Sequence, residues 1–227
     1  MTEQDFLRAA FDGDLHTLRA WAESGADVNV INRHGMSALM LAIWNGRPRE
    51  VVEYLVRVGV GLEIRQPSSD WRALTFAAVN GHRELLELLL ASGDRVDPDG
   101  SDWKALAFAI QYRNSATAEI LLAHGAAVDA RDDEGRTPLL RAARNSDPVA
   151  VAMLLRHGAD PTVADGDGNT ALHFASEKAN VDNVRVLVER GAPPLAANAA
   201  GETPIDVARR KRRTKHLAIL EAAVASA

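Results

Sequence analysis

The residues of this chain that could bind a metal ion or take part in catalysis are seven scattered histidines and several aspartate-rich turns. No two histidines are four residues apart, the spacing that places two metal ligands on one face of a helix. The chain has no cysteine, which excludes disulfides, thiolate metal sites and a cysteine nucleophile. We therefore predict structural roles for the histidines, and neither a bound metal nor another cofactor.

Residues 165–169, Asp-Gly-Asp-Gly-Asn, begin like a calcium-binding loop. The pattern fails at its sixth position, where Thr170 replaces glycine, and at its twelfth, where Ser176 replaces glutamate. We predict a turn here rather than a calcium site.

Motifs for catalysis are missing from the sequence. It contains neither a glycine-rich phosphate-binding loop nor a Gly-x-Ser-x-Gly motif. The acidic run Asp132, Asp133 and Glu134 lies in a polar stretch that we expect to be open to water. We predict that the protein is not an enzyme.

A basic run, residues 209–213 with Lys215, contains six of the 26 basic residues. One interpretation is a localisation signal or a phosphate-binding patch. The other is a solvated helix end, where cations are favourable. Outside this run 20 basic residues stand against 31 acidic ones, so we expect no nucleic acid partner.

Composition and hydropathy indicate an ordinary soluble protein, with 47% hydrophobic and 25% charged residues. No apolar run approaches the roughly 20 residues that span a membrane. The first residues are acidic and do not resemble a secretory signal. We expect a cytoplasmic protein without membrane contact.

The elements that position these side chains recur along the whole chain. A glycine closes a leucine-rich segment at intervals of 34, 34, 32, 33 and 33 residues. An alanine follows each apolar anchor by three residues, which lets neighbouring helices approach closely. These alanines are Ala9, Ala42, Ala77, Ala109, Ala142, Ala175 and Ala208.

Each unit predicts a short inner helix, a tight turn and a second, leucine-rich helix that ends at the glycine. One such unit cannot bury its apolar faces alone, so the units must stack into a solenoid. The two terminal units have the features of caps.

Residues 137–142 (Thr-Pro-Leu-Leu-Arg-Ala), 170–175 (Thr-Ala-Leu-His-Phe-Ala) and 203–208 (Thr-Pro-Ile-Asp-Val-Ala) resemble the Thr-Pro-Leu-His-x-Ala signature of the ankyrin-repeat family. The resemblance covers essentially the whole chain. It implies an all-α solenoid of helix-loop-helix units joined by β-hairpin-like fingers, as one domain, 1–227. The predicted repeats are 1–31, 32–64, 65–98, 99–131, 132–164, 165–197 and 198–227.

The resemblance also implies where a partner binds. In this family the residue before the signature threonine, on the finger, and the residues before the turn between the helices vary with the partner. Five of the chain's eleven aromatic residues fall on such positions, all in repeats one to four. Together with neighbouring polar residues, the predicted partner-binding set is Phe11, Trp44, Asn45, Trp71, Arg72, Asn80, Trp103, Lys104, Gln111, Tyr112 and Arg144.

Repeats three and four lack the Thr-Pro signature and place Trp71 and Trp103 on adjacent fingers. Asp70 and Asp102 replace the finger glycine, and aspartate tolerates a left-handed conformation better than most residues. The tryptophans either form a binding patch, since tryptophan is enriched at hot spots, or brace their fingers in place of the missing signature.

The leading functional hypothesis is a module that binds a folded protein in its concave groove, with an inhibitor or immunity protein as one specific form. The alternatives are a structural or assembly scaffold and polyanion binding through the basic run. We expect a protein partner, and a monomer when the partner is absent.

Overall fold

The computed structural model describes residues 1–96 and 103–226, and in these ranges the chain is helical with no named strand. The all-α prediction is confirmed. The helices are α1 (Glu3–Asp12), α2 (Leu15–Glu23), α3 (Ala38–Trp44), α4 (Arg49–Arg57), α5 (Ala73–Val79), α6 (Arg83–Ala91), α7 (Lys104–Gln111), α8 (Ser115–Ala123), α9 (Pro138–Arg144), α10 (Pro148–Arg156), α11 (Ala171–Glu177), α12 (Val181–Glu189), α13 (Pro204–Arg210) and α14 (Thr214–Ala225).

The helices stack in two parallel rows. Each odd-numbered helix contacts the next odd-numbered helix, from α1 to α13, and forms the inner row. The even-numbered helices from α4 to α14 contact each other in the same order and form the outer row. The main contacts of each described helix pair are therefore with its neighbours in sequence, as in a solenoid.

Small and left-handed residues fall where the repeat requires them. The seven alanines of the inner helices are all buried, so the helix backbones approach closely at those positions. Gly25 and the other five closing glycines have positive φ angles between 74° and 96°, a conformation that glycine adopts without steric cost. Both predictions are confirmed.

Four fingers share one hydrogen-bond pattern, which is set by an Asn or Asp at the first turn position. The side-chain Oδ1 accepts hydrogen bonds from the backbone N–H groups two and four residues later, at 2.8–3.0 Å. The four residues are Asn32, Asp132, Asp165 and Asn198. The neutral Asn32 and Asn198 accept the same hydrogen bonds as Asp165. The turn alone therefore explains why an aspartate begins the calcium-like segment.

The finger before Trp71 is built differently. The Gln66 N–H donates to the Trp71 carbonyl at 2.8 Å, and the Ser69 hydroxyl donates to the Gln66 side chain at 2.7 Å. Asp70 has a φ of 60°, which confirms the left-handed conformation predicted for it. The corresponding prediction for Asp102 lies outside the described residues.

His173 connects two repeats, as the family signature implies. Its Nδ1 accepts a hydrogen bond from the Thr170 N–H at 3.1 Å, and its Nε2 lies 3.0 Å from the Glu202 carbonyl of the next finger. Burial lowers the pKa of His173, against the weaker opposing effect of that carbonyl. Through this contact, α11 is joined to the next finger.

The inter-helix turns add further bonds between repeats, and the donor differs from one seam to the next. Asn114 Nδ2 donates to the Val79 carbonyl at 2.5 Å. Arg47 donates to the Asp12 carbonyl, and Arg213 to the Glu177 carbonyl, both at 3.3 Å. At these seams, side chains satisfy carbonyls at the end of the preceding inner helix, where no intrahelical donor is available.

The longest described helix, α14, has 12 residues. Across the described ranges, no helix is both long and apolar enough to cross a lipid bilayer.

Candidate partner-binding surface

A strip of aromatic rings crosses the inner row of helices from repeat two to repeat four. Ring centroids are 5.7 Å apart for Trp44 and Phe76, 5.2 Å for Phe76 and Trp71, and 5.1 Å for Trp71 and Phe108. The strip continues from Phe108 to two more rings. We call the set Trp44, Trp71, Phe76, Trp103, Phe108 and Tyr112 the aromatic strip.

The strip is exposed at its ends and half-buried in its middle. Trp44 is 55% exposed and Tyr112 is 54% exposed, whereas Trp71 and Trp103 are half-buried and Phe76 is buried. Trp71 packs against the inner helices of two successive repeats, so it braces its finger while one part remains accessible. This packing supports the bracing interpretation, and the binding interpretation stays a prediction.

Phe11 extends the apolar surface toward the first repeat. It is 41% exposed and shares a groove with Ile31 and Leu41, which lie on the first finger and on α3. Ile31 is 47% exposed and did not belong to the predicted set. An apolar residue in a finger carries no sequence signal that distinguishes an exposed side chain from a core one.

We predicted that Arg72 lies on the exposed binding surface, and this prediction is wrong because the residue is fully buried. Its guanidinium donates to Asp94 Oδ1 at 2.5 Å and to the carbonyls of Arg95 at 2.8 Å and Val96 at 3.2 Å. Burial raises the pKa of Asp94 to about 6, although the charge of Arg72 opposes that shift. Arg72 holds together the end of its own repeat and is not available to a partner.

Lys104 is also engaged within the protein. Its Nζ donates to Asp70 Oδ2 at 3.1 Å and lies 5.3 Å from the centre of the Trp103 ring. Arg65 donates to the same Asp70 oxygen at 3.0 Å. Burial opposes ionisation of Asp70, but the bonds from Lys104 and Arg65 lower its pKa below the ordinary value. Lys104, the first residue of α7, thus connects its helix to the preceding finger.

The polar residues of the predicted set differ in whether their side chains are already hydrogen-bonded within the protein. Asn45 donates to the Phe11 carbonyl at 2.8 Å, and Asn80 donates to the Phe76 carbonyl at 2.9 Å. Gln111 Oε1 accepts from Arg141 at 2.6 Å. Within the described ranges, Arg144 is exposed and has neither a hydrogen bond nor an ion pair with another side chain.

The acidic run was expected to be open to water, and for Asp132 this expectation is wrong because the residue is buried. Its side chain is 2% exposed, and its Oδ2 accepts from Arg136 at 3.0 Å and also from Arg141. Burial by itself would raise the pKa of Asp132, but the N–H groups of Arg136 and the other donors bring it below the ordinary value. Asp132 thereby orients two arginines toward the concave surface.

Sequence reasoning missed Phe76, Phe108 and Arg141, although they share one position. Each follows the apolar anchor of its inner helix by two residues, as Leu41 and Phe174 also do. In α5, α7 and α9 this position places a side chain in the aromatic strip or against it. The register was present in the sequence, but it does not by itself distinguish exposed from buried side chains, since Val207 holds the same position and is buried.

Three of the six residues of the basic run pair with carboxylates of their own repeat or of the preceding one. Arg210 makes two bonds to Glu202, at 2.8 and 3.1 Å. Lys211 pairs with Glu177 at 2.7 Å, and Arg209 with Asp206 at 3.3 Å. These pairs favour the solvated helix end over the polyanion-binding interpretation.

Comparisons with known proteins agree with this geometry. The family described as "Ankyrin repeats (3 copies)" matches residues 6–100 and 95–165, and the family "Ankyrin repeats (many copies)" matches residues 154–208. A curated relative, "Protein fem-1 homolog A-like" of Mus musculus, is 38% identical over 78 residues. The match covers 34% of this chain and only 12% of that protein.

Two solved structures have the same architecture over nearly their whole length. The ankyrin repeat domain of Bcl-3, "a unique member of the IkappaB protein family", is 28% identical with a TM-score of 0.82. The match covers 96% of this chain and 97% of that one. The human ASB11 ankyrin repeat domain is 24% identical, with a TM-score of 0.82 and 96% of each chain covered, and shows the fold alone.

Proposed function

The chain belongs to the ankyrin-repeat family, and we propose that it binds a folded protein partner through the concave surface that runs from Phe11 along the aromatic strip to Arg144. Ankyrin-repeat domains generally mediate protein–protein interaction and are typically not enzymes. The proposal locates that interaction on this chain.

One observation carries the proposal: large apolar side chains are exposed in register on one face. Phe11 and Trp44 hold the same position in successive inner helices, five residues after the anchor, and Tyr112 lies one residue beyond that position. All three are at least 41% exposed. Burying such rings removes a large apolar area from water and supplies the anchors typical of binding hot spots.

The mechanism that we propose is rigid complementarity. The stacked helices and the bonds between repeats hold the strip in place before a partner arrives, so little conformational entropy is lost on binding. Arg72 and Lys104 contribute by fixing the fingers rather than by touching the partner. Binding covers a surface of the partner, and inhibition or immunity is one form that this function takes. The cytoplasmic location and the monomeric free state stay predictions.

The test compares two variants that each lose two exposed apolar side chains. Trp44→Ala/Tyr112→Ala changes the concave surface. The control, Val149→Ala/Leu195→Ala, changes residues that are 64% and 59% exposed but lie on an outer helix and on the loop after α12. Each protein is immobilised, exposed to a lysate of its source cells and analysed by mass spectrometry.

We expect the wild type and the control to retain the same partner and Trp44→Ala/Tyr112→Ala to lose it. Equal retention by all three folded proteins would contradict the assignment of this surface. A scaffold that associates with itself is the second candidate, and it predicts that the protein retains chiefly its own chain.

A further inference from the structure

A small pocket at the end of the aromatic strip is lined by polar and basic side chains rather than by aromatic rings. It has a volume of about 250 Å³ and is lined by Gln111, Arg136, Arg141, Arg144 and Asn145. Three of its five lining residues are arginines, in a protein whose net charge is −5. We call it the arginine pocket.

Two of the three guanidiniums are held in place. Arg136 and Arg141 donate to the same oxygen of the buried Asp132, and their side chains are only 16% and 12% exposed. Arg141 also lies over the Trp103 and Phe108 rings, at 5.5 and 5.8 Å from their centres. Its Nε is buried without a hydrogen-bond partner in the described structure. This pair is therefore pre-positioned.

The pocket retains an excess of positive charge. Asp132 compensates one guanidinium, and Glu134, which is 66% exposed, pairs with Arg136 at 2.5 Å. Arg144 is exposed, and no carboxylate among the described residues pairs with it. A groove on the far side, to which Arg136 and Arg144 also contribute, contains Asp165, Asp167 and Glu177. The positive region is thus confined to the pocket.

We propose that the arginine pocket binds the carboxylate of an aspartate or glutamate side chain on the protein partner, an inference that rests on the proposed function. The planar guanidinium matches a carboxylate with two parallel hydrogen bonds, and such charge-assisted bonds are stronger than neutral ones. The adjoining Tyr112 and Trp103 rings place an apolar subsite beside it. The recognised segment therefore carries an acidic residue next to an apolar or aromatic one.

The test uses a library of random linear peptides displayed on phage and selected on the immobilised protein. The strongest selected peptide is labelled with fluorescein, and its affinity is measured by fluorescence anisotropy. A second version carries Gln or Asn in place of its acidic residue. Both are measured on the wild type, on Arg144→Gln and on the control Arg57→Gln, which removes the same charge from an exposed arginine on α4.

We expect selected peptides to share an acidic residue beside an apolar one. Its replacement should weaken binding about tenfold on the wild type and on Arg57→Gln, the size of a hydrogen bond to a charged group. On Arg144→Gln the penalty for replacing the acidic residue should be several-fold smaller, because Arg136 and Arg141 remain in the pocket. Selected peptides without an acidic preference, or a penalty as large on Arg144→Gln as on the wild type, would overturn the inference, as would a library that yields no binder at this pocket.

The same peptides separate this inference from the proposed function. If binding ignores Arg144 but is lost in Trp44→Ala/Tyr112→Ala, the concave surface binds partners and the arginine pocket does not take part. If binding depends on neither variant, both proposals fail.

Discussion

Arg72 occupies the position at which Ser37, Thr137 and Thr203 cap their inner helices. A hydroxyl accepts a hydrogen bond from the first turn of the helix, whereas a guanidinium has only donors. Helix α5 accordingly begins without a side-chain cap, and Arg72 instead donates to the buried Asp94 and to two carbonyls. In this repeat a buried ion pair stands where other repeats have a local cap.

We predict that Arg72→Ala lowers the free energy of unfolding by about 3–5 kcal/mol at pH 7.5, because it leaves the Asp94 carboxylate buried without its partner. Urea unfolding followed by circular dichroism measures the change. In the double variant Arg72→Ala/Asp94→Ala the loss should be smaller than the sum of the two single losses. Additive losses would show that the pair is not coupled.

His173 provides a prediction about pH. Its folded-state pKa is lowered by burial, so the unfolded state binds the proton more tightly. The stability that neutral His173 contributes is present above its ordinary pKa of about 6.5 and is lost as the pH falls below that value. His173→Gln, which does not titrate, should show a smaller loss of stability between pH 7.5 and pH 5 than the wild type.

Thermal unfolding at a series of pH values tests this expectation. Some loss should remain in the variant, because burial also lowers the pKa of His216. Parallel stability curves for the wild type and His173→Gln would contradict the assigned role.

At the scale of the element, the fingers show what the sequence could and could not predict. The sequence predicts the left-handed backbone correctly at Asp70, where an aspartate replaces the usual glycine. It does not predict the same conformation at Arg113, Ser146 and Arg212, whose residue types do not favour it. The direction of the Arg72 side chain was not predictable, since it depends on carbonyls and on Asp94, more than 20 residues away. Exposure of the finger tryptophans likewise depends on Phe76 and Phe108, which belong to the inner helices.

The half-buried Trp71 should matter more for stability than the exposed Trp44. Trp71 packs against Phe76 and Phe108 from successive repeats, whereas Trp44 is 55% exposed. We predict that Trp71→Ala lowers the free energy of unfolding by about 2–3 kcal/mol, and Trp44→Ala by less than about 1 kcal/mol. Chemical denaturation of both variants gives the comparison, and equal losses would show that Trp71 is not a brace.

At the scale of the whole molecule, the stacking order governs how the protein unfolds. Within the inner row the main contacts of α9 are with α7 and α11, so disturbance of one interface acts first on adjacent repeats. The stability of such a stack is approximately the sum of repeat and interface contributions. The repeat spacing in the sequence predicts this architecture, but not which interface is strongest.

We predict that Ala142→Leu, which adds three carbon atoms at a fully buried contact of α9, costs about 1–3 kcal/mol by overpacking. Hydrogen exchange followed by mass spectrometry should show faster exchange in α9 and its neighbours than in α1 and α2. The matched control, Ala123→Leu, makes the same change at an exposed position. Uniformly faster exchange along the chain would indicate that the solenoid opens as one cooperative unit.

The seams between repeats have a consequence for the ancestry of the chain. Arg47, Asn114 and Arg213 each satisfy a carbonyl of the preceding repeat, and all three stand eight residues after the apolar anchor of their inner helix. The acceptor is a main-chain carbonyl, which every repeat possesses, so arginine and asparagine both close a seam from this position. A repeat copied to another place therefore brings a usable donor to its new neighbour wherever this position holds such a residue. The chain can lengthen by duplication without a matching change across each new junction.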